Sequence, residues 1–165
     1  DSTAIWFAQR VGQEIHLIDY YETSGESLAH YADKLEEKGY HYSHHIAPHD
    51  IQARELGTGK SRLEVANELG IDFEVAPKLE VDHGIESVRN MLPHCYFDRE
   101  KCKLGLDAVR QYRKQWDDKN QVFKNKPLHD WCSHAADALR YGAVHEPIDT
   151  SEWKKPISVD TRYIV

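Results

Sequence analysis

Apolar and polar positions along this chain change period several times, from the alternation of a strand to the three-and-four spacing of a helix and back. Residues 3–11 and 14–21 are β-rich runs on either side of Gly12-Gln13, a spacing that predicts an antiparallel hairpin. Thr23-Ser24-Gly25-Glu26 has the form of a capping box, with Leu28, Tyr31, Ala32 and Leu35 following at helical spacing and Gly39 as the stop. Residues 40–46 alternate as a strand that breaks at Pro48 and leaves His49-Asp50 just past its end. Ser61-x-x-Glu64 caps a second helix through Leu63, Ala66 and Leu69, which closes at Gly70, and residues 71–75 form a further short strand. A third helix carries Ile85, Val88 and Leu92 and ends at Pro93. A fourth is expected over residues 98–116, with Cys102, Leu106, Val109 and Trp116 as its apolar stripe. Residues 120–127 read as a polar loop or hairpin, and residues 129–143 as the last helix. The order of elements predicts an α/β fold, a mixed central sheet flanked by helices.

At 165 residues the chain is long enough for one domain with a real core and too short for two. Residues 1–145 are expected to form that domain. The tail, residues 146–165, holds Pro147 and Pro156 and few core positions, and reads as an extension. The net charge of −7 argues against attachment to nucleic acid by bulk charge alone, since phosphate neutralisation needs clustered cations. It leaves room for an acidic metal site beside a basic groove. No run approaches the roughly 20 apolar residues of a membrane-spanning helix. Cys95, Cys102 and Cys132 lack disulfide-framework spacing and no apolar signal segment opens the chain, which together predict a reducing, intracellular compartment. The chain begins at Asp1 and passes at once into strand-like sequence, so it is expected to be a piece of a longer protein.

The most informative pair is Asp50, just past a strand, and Asp137, on the last helix. Carboxylates on rigid elements from distant parts of the chain can converge on a divalent cation, which takes oxygen ligands and keeps several waters. The structural alternative makes Asp50 a turn residue and Asp137 an exposed helix position. Ala135, Ala136, Ala138, Gly142 and Ala143 let that last helix approach a sheet closely, while His134 and Tyr141 share the Asp137 face. Asp130 reads as the helix N-cap. A rival reading is structural zinc on His129-x-x-Cys132-x-His134, or on His94-Cys95 with Cys102, although no CxxC pair is present. Gly57-Thr58-Gly59-Lys60-Ser61 ends like a phosphate-binding loop, but Arg54 stands where that motif needs glycine, so it reads as a turn before a capped helix. Among His41, His44, His45 and His49, only His49 is expected near Asp50. Arg54, Lys60, Arg62, Arg110, Arg113 and Lys114 are candidate phosphate contacts, with a solvated basic face as the plainer alternative.

Three segments in this order, PHDIQARELGTGKSR (48–62), DHGIESVR (82–89) and HDWCSHAADALRY (129–141), resemble the C-terminal nuclease domain of large terminase subunits from tailed bacteriophages and prophages. The likeness extends to about His145. It implies a ribonuclease H-like fold and a two-metal carboxylate site, using Mg²⁺ or Mn²⁺, that cuts concatemeric double-stranded DNA during genome packaging. It also implies as partners an ATPase domain of the same polypeptide, the small terminase subunit and the portal, in the cytoplasm of a bacterial host. Asp50 and Asp137 match the family's strand-end and last-helix aspartates, and His134 would orient Asp137 or assist a water. Asp1 resembles the aspartate that follows the family's Asp-x-Gly motif, and no such motif stands ahead of the first strand. Asp19 is a weaker substitute, expected at a strand end on the surface. The departure opens a second expectation, a domain of the same fold that binds DNA or motor partners without cutting.

Overall fold

The computed structural model describes residues 2–145. Asp1 and the expected extension, 146–165, lie outside the described residues. The predicted hairpin is present: β1 (Ser2–Val11) and β2 (Glu14–Ser24) pair antiparallel about Gly12, whose φ of +62° suits a residue without Cβ. The register slips between Phe7 and Ala8, so that Phe7 faces Asp19 while Ala8 faces Leu17, a bulge that leaves Ile18 of β2 without an opposite residue. On the other edge of β2 lies a short parallel strand, β5 (Cys95–Phe97), which makes a mixed sheet in the order β1-β2-β5. A second, parallel pair is formed by β3 (His45–Ala47) and β4 (Phe73–Val75).

Among the described residues five helices flank these strands: α1 (Leu28–Lys38), α2 (Arg62–Glu68), α3 (Val81–Met91), α4 (Lys103–Gln111) and α5 (Ser133–His145). Helix α5 packs on β1, α3 and α4 and reaches β3, and so bridges the two strand groups. Its buried Ala135, Leu139 and Ala143 join Leu17, Tyr20, Met91, Cys102, Ala108 and Cys132 in one core. The Nε1 of Trp6 donates to the carbonyl of Ala135 at 2.9 Å, tying β1 to α5 where small side chains allow a close approach. The α/β architecture is therefore the expected one, a mixed sheet with helices packed on it.

Several boundaries differ from expectation for physical reasons. Helix α1 starts after Ser27, not at the Thr23 box, because β2 runs on to Ser24; its end at Gly39, with φ of +68°, is as expected. Residues 40–44 do not join a ladder: Tyr40 and Tyr42 pack on the Phe7 ring, and the Tyr42 hydroxyl donates to the Leu35 carbonyl. The fourth helix is much shorter than expected. It begins after a turn in which Asp98 Oδ1 accepts from the amides of Glu100 and Lys101, and it ends at Gln111. Trp116 belongs instead to β6 (Lys114–Asp117), which pairs with β7 (Val122–Pro127) as an antiparallel hairpin. The capping box of α2 is complete, Ser61 Oγ accepting from the Glu64 amide and the Glu64 carboxylate from the Ser61 amide.

Candidate active site

Asp50 is carried by a single 3-10 turn, His49–Gln52, at the C-terminal end of β3. Pro48 sets the entry with φ of −65°, Ile51 anchors the turn in the core, and the Ala53 amide closes it on the Asp50 carbonyl. The Asp50 side chain is left exposed. Asp137 lies in the second turn of α5, 38% exposed, and accepts from Arg140 Nη2 through Oδ1 at 2.9 Å. The two elements touch through neighbours of these residues: the ring of His49, one residue before Asp50, stands 6.3 Å from that of Tyr141, one turn beyond Asp137. Carboxylate oxygens are the donors a hard divalent cation takes. Among the described residues, however, no three His, Cys, Asp or Glu side chains stand close enough together to hold a metal ion. Asp1, the other expected ligand, is outside them.

His134 is half-buried, with its ring edge-on to His129 at 5.8 Å. The N-terminus of α5 is organised by Asp130, whose Oδ1 accepts from the Cys132 amide while Arg113 stands 3.4 Å from its other oxygen. A small pocket of about 150 Å³ opens beside Asp137, lined also by Val81, Tyr112, Pro127, His129 and Arg140. Burial, reinforced by the charge of Asp137, pushes the Tyr112 hydroxyl up to about 12, so it is a neutral donor there. Arg140 escaped the sequence analysis. Its signals were the i,i+3 spacing from Asp137 and a glycine, Gly84, in the middle of α3.

Asp19 is not a surface residue. It is 4% exposed, and its carboxylate accepts from Lys38 Nζ at 2.6 Å, the Tyr40 hydroxyl at 3.1 Å and the Tyr20 amide at 2.8 Å. These partners give it a structural role, closing the end of α1 and Tyr40 onto β2. Asp19→Ala is expected to lower stability by about 2 kcal/mol, less than for a fully buried pair because Lys38 keeps 25% exposure. A urea midpoint checks this, and an unchanged midpoint would contradict it. The zinc reading finds no ligand cluster among the described residues, and two of its thiols, Cys102 and Cys132, are core residues, Cys102 Sγ donating to the Leu17 carbonyl. His45 packs between Tyr42 and Phe73, and burial lowers its pKa.

The expected basic helix face is divided by the early end of α4. Arg110 stays on the helix, 3.6 Å from Asp107, while Arg113 and Lys114 lie beyond it. Arg54, Lys60 and Arg62 gather on the 54–62 loop, where Arg54 bridges to Ser61 and Gly59 makes the turn at φ +70°. Lys60 pairs with Glu68 at 2.5 Å and Arg62 with Glu55 at 3.6 Å, both exposed. Pairs of this kind exchange readily with solvent.

The arrangement of strands and helices is similar to that of solved large-terminase nuclease domains. The g2p nuclease domain of bacteriophage SPP1, solved with bound Mn, superposes with a TM-score of 0.62 at 22% identity, over 85% of this chain and 75% of that one. The large terminase of a thermophilic bacteriophage gives a TM-score of 0.61 at 16% identity, over 87% of this chain and 36% of that longer one. The nuclease domain of the P22 large terminase gives 0.54 at 17% identity, over 86% and 73%. At these identities the likeness establishes the fold. Comparison with protein families and with curated proteins gives no match. Among the described residues, no helix is long and apolar enough to cross a membrane.

Proposed function

We propose that this chain is the divalent-metal-dependent endonuclease domain of a DNA-packaging terminase, cutting concatemeric double-stranded viral DNA. The observation that carries the reading is the meeting of the Asp50 turn with α5 beside Asp137, on a fold shared with terminase nuclease domains. The Mn held by the SPP1 domain supports a divalent cation, Mg²⁺ or Mn²⁺, as cofactor. Asp50 and Asp137, with Asp1 as the third expected carboxylate, are the residues proposed to hold it. A pair of such ions supplies an activated water and a counter-charge for the leaving oxygen in phosphodiester hydrolysis. The chain's own task is to fix the carboxylates on two elements, with His134, one turn before Asp137 on α5, proposed to orient a water. Double-stranded DNA is the proposed substrate; an ATPase domain of the same polypeptide, the small subunit and the portal are the proposed partners, in the cytoplasm of a bacterial host.

Supercoiled plasmid incubated with the chain should be nicked and linearised in Mn²⁺ or Mg²⁺ and left intact in EDTA. Metal-independent nicking would remove the reading. The shortage of ligands among the described residues favours one alternative, a domain that binds DNA without cutting it. Binding without nicking in either ion selects that alternative. If all of Arg54, Lys60, Arg62, Arg110, Arg113 and Lys114 engage phosphates, duplex affinity should fall about a thousandfold between 50 and 200 mM salt. Lys60→Ala and Arg62→Ala should each reduce the slope by about one. Fluorescence anisotropy against a salt series measures both, and a flat response would exclude these contacts.

A further inference from the structure

Arg140 is unusual for a cation on a helix: its side chain is only 11% exposed, whereas its partner Asp137 is 38% exposed. The stem of Arg140 crosses α3 at Gly84, where an added Cβ would stand 2.5 Å from Cγ and Cδ of the arginine. Glycine inside a helix costs about 1 kcal/mol relative to alanine, and the space it leaves is filled by this one side chain. The guanidinium lies 5.0 Å from the Tyr141 ring, and Nη2 donates to Asp137. Its Nε is buried with no partner among the described residues. A cation buried with an unsatisfied donor is not arranged for its own stability. The arrangement does fix one carboxylate: a rigid, planar donor is wedged between two helices and aimed at Asp137 Oδ1, leaving Oδ2 for another bond.

We propose that Arg140 is a positioning residue for Asp137, holding its carboxylate in the orientation in which it receives a divalent cation, with Gly84 as the notch that admits the arginine. The inference rests on the reading of Asp137 as a metal ligand. It differs from a simple charge effect in sign. A neighbouring positive charge by itself repels a cation, so its removal should tighten metal binding; loss of a positioning bond weakens it. Packing alone predicts no change when the stem is kept.

The test is a Mn²⁺ titration of the full chain followed by the electron paramagnetic resonance signal of free Mn²⁺, with plasmid nicking as a second readout. Arg140→Met keeps the stem and is expected to weaken Mn²⁺ binding about tenfold and to lower kcat with little change in KM for DNA. Arg140→Lys, which restores a charged donor, should recover most of that loss. Gly84→Ala, which displaces the stem, should weaken Mn²⁺ in the same direction and stands in for Arg140→Met if that variant does not fold. Mn²⁺ affinity equal to or tighter than wild type in Arg140→Met and Gly84→Ala overturns the positioning role. Asp137→Asn in parallel separates the two levels: unchanged Mn²⁺ affinity there, or no binding by the unaltered chain, removes the metal-ligand reading and this inference with it.

Discussion

Gly105→Ala is expected to lower the stability of the domain by about 3 kcal/mol, a fall of roughly 6–12 °C in Tm. A Cβ at this position in α4 would stand 2.5 Å from the Trp6 ring and 2.8 Å from Tyr20. Neither ring is free to move away. Trp6 is packed 4.5 Å from Tyr20 and 5.7 Å from Phe97, centroid to centroid, and its Nε1 is bonded to the Ala135 carbonyl. Alanine's advantage in a helix, about 1 kcal/mol, is smaller than the clash. Because Ala135 lies two residues before Asp137, displacing Trp6 disturbs the helix that carries the candidate site. Gly142→Ala is the contrast, in α5 with nothing within 4 Å of the added Cβ; it should raise stability by up to about 1 kcal/mol. Thermal unfolding followed by circular dichroism measures both, and equal midpoints would contradict the packing argument.

Elements whose pattern is local were legible in the sequence, and those made by distant partners were not. The β1–β2 hairpin and the Ser61 capping box each carry their signal within a few residues, and both are present. The three residues of β5 form a strand only because β2 offers its free edge, with Ile15 opposite Cys95 and Leu17 opposite Phe97. The 98–116 segment keeps helical spacing through Trp116, yet Trp116 finds a better partner in Phe123 across the β6–β7 hairpin, 4.8 Å away and edge-on. Tyr40 and Tyr42 alternate like a strand and instead close over Phe7. In each case tertiary packing overrode a local period.

The site divides in the same way. Asp50 after a strand and Asp137 on a small-residue helix could be singled out because residue type and position sufficed, and they lie at the end of β3 and on α5 as expected. The burial of Asp19 was not, since it depends on Tyr40 and Lys38 arriving from beyond β2 and from the end of α1. Nor was Arg140, whose environment is set by a glycine 56 positions away in sequence. Sequence periodicity places a side chain on a face; it does not say which side chain from another element will stand opposite.

Asp50→Asn and Asp137→Asn are each expected to reduce metal-dependent nicking by on the order of a hundredfold or more, with the folded state retained. Asparagine keeps the size of aspartate and loses the charge that a divalent cation requires. Asp50 is exposed, so its replacement opens no cavity and should leave stability within about 0.5 kcal/mol of wild type. At Asp137 the asparagine oxygen can still accept from Arg140, which limits the structural consequence. The decisive comparison is the double variant. Two carboxylates that hold the same cation act as one unit, so removing the second after the first should cost little more activity. Carboxylates acting independently, one on a metal and one on DNA, would instead multiply their losses. Asp82→Asn, which removes an exposed carboxylate from the first turn of α3, should nick at the wild-type rate. Initial nicking rates at saturating Mn²⁺ give all four values; full activity in either single variant would exclude that residue, and multiplicative losses would exclude a shared site.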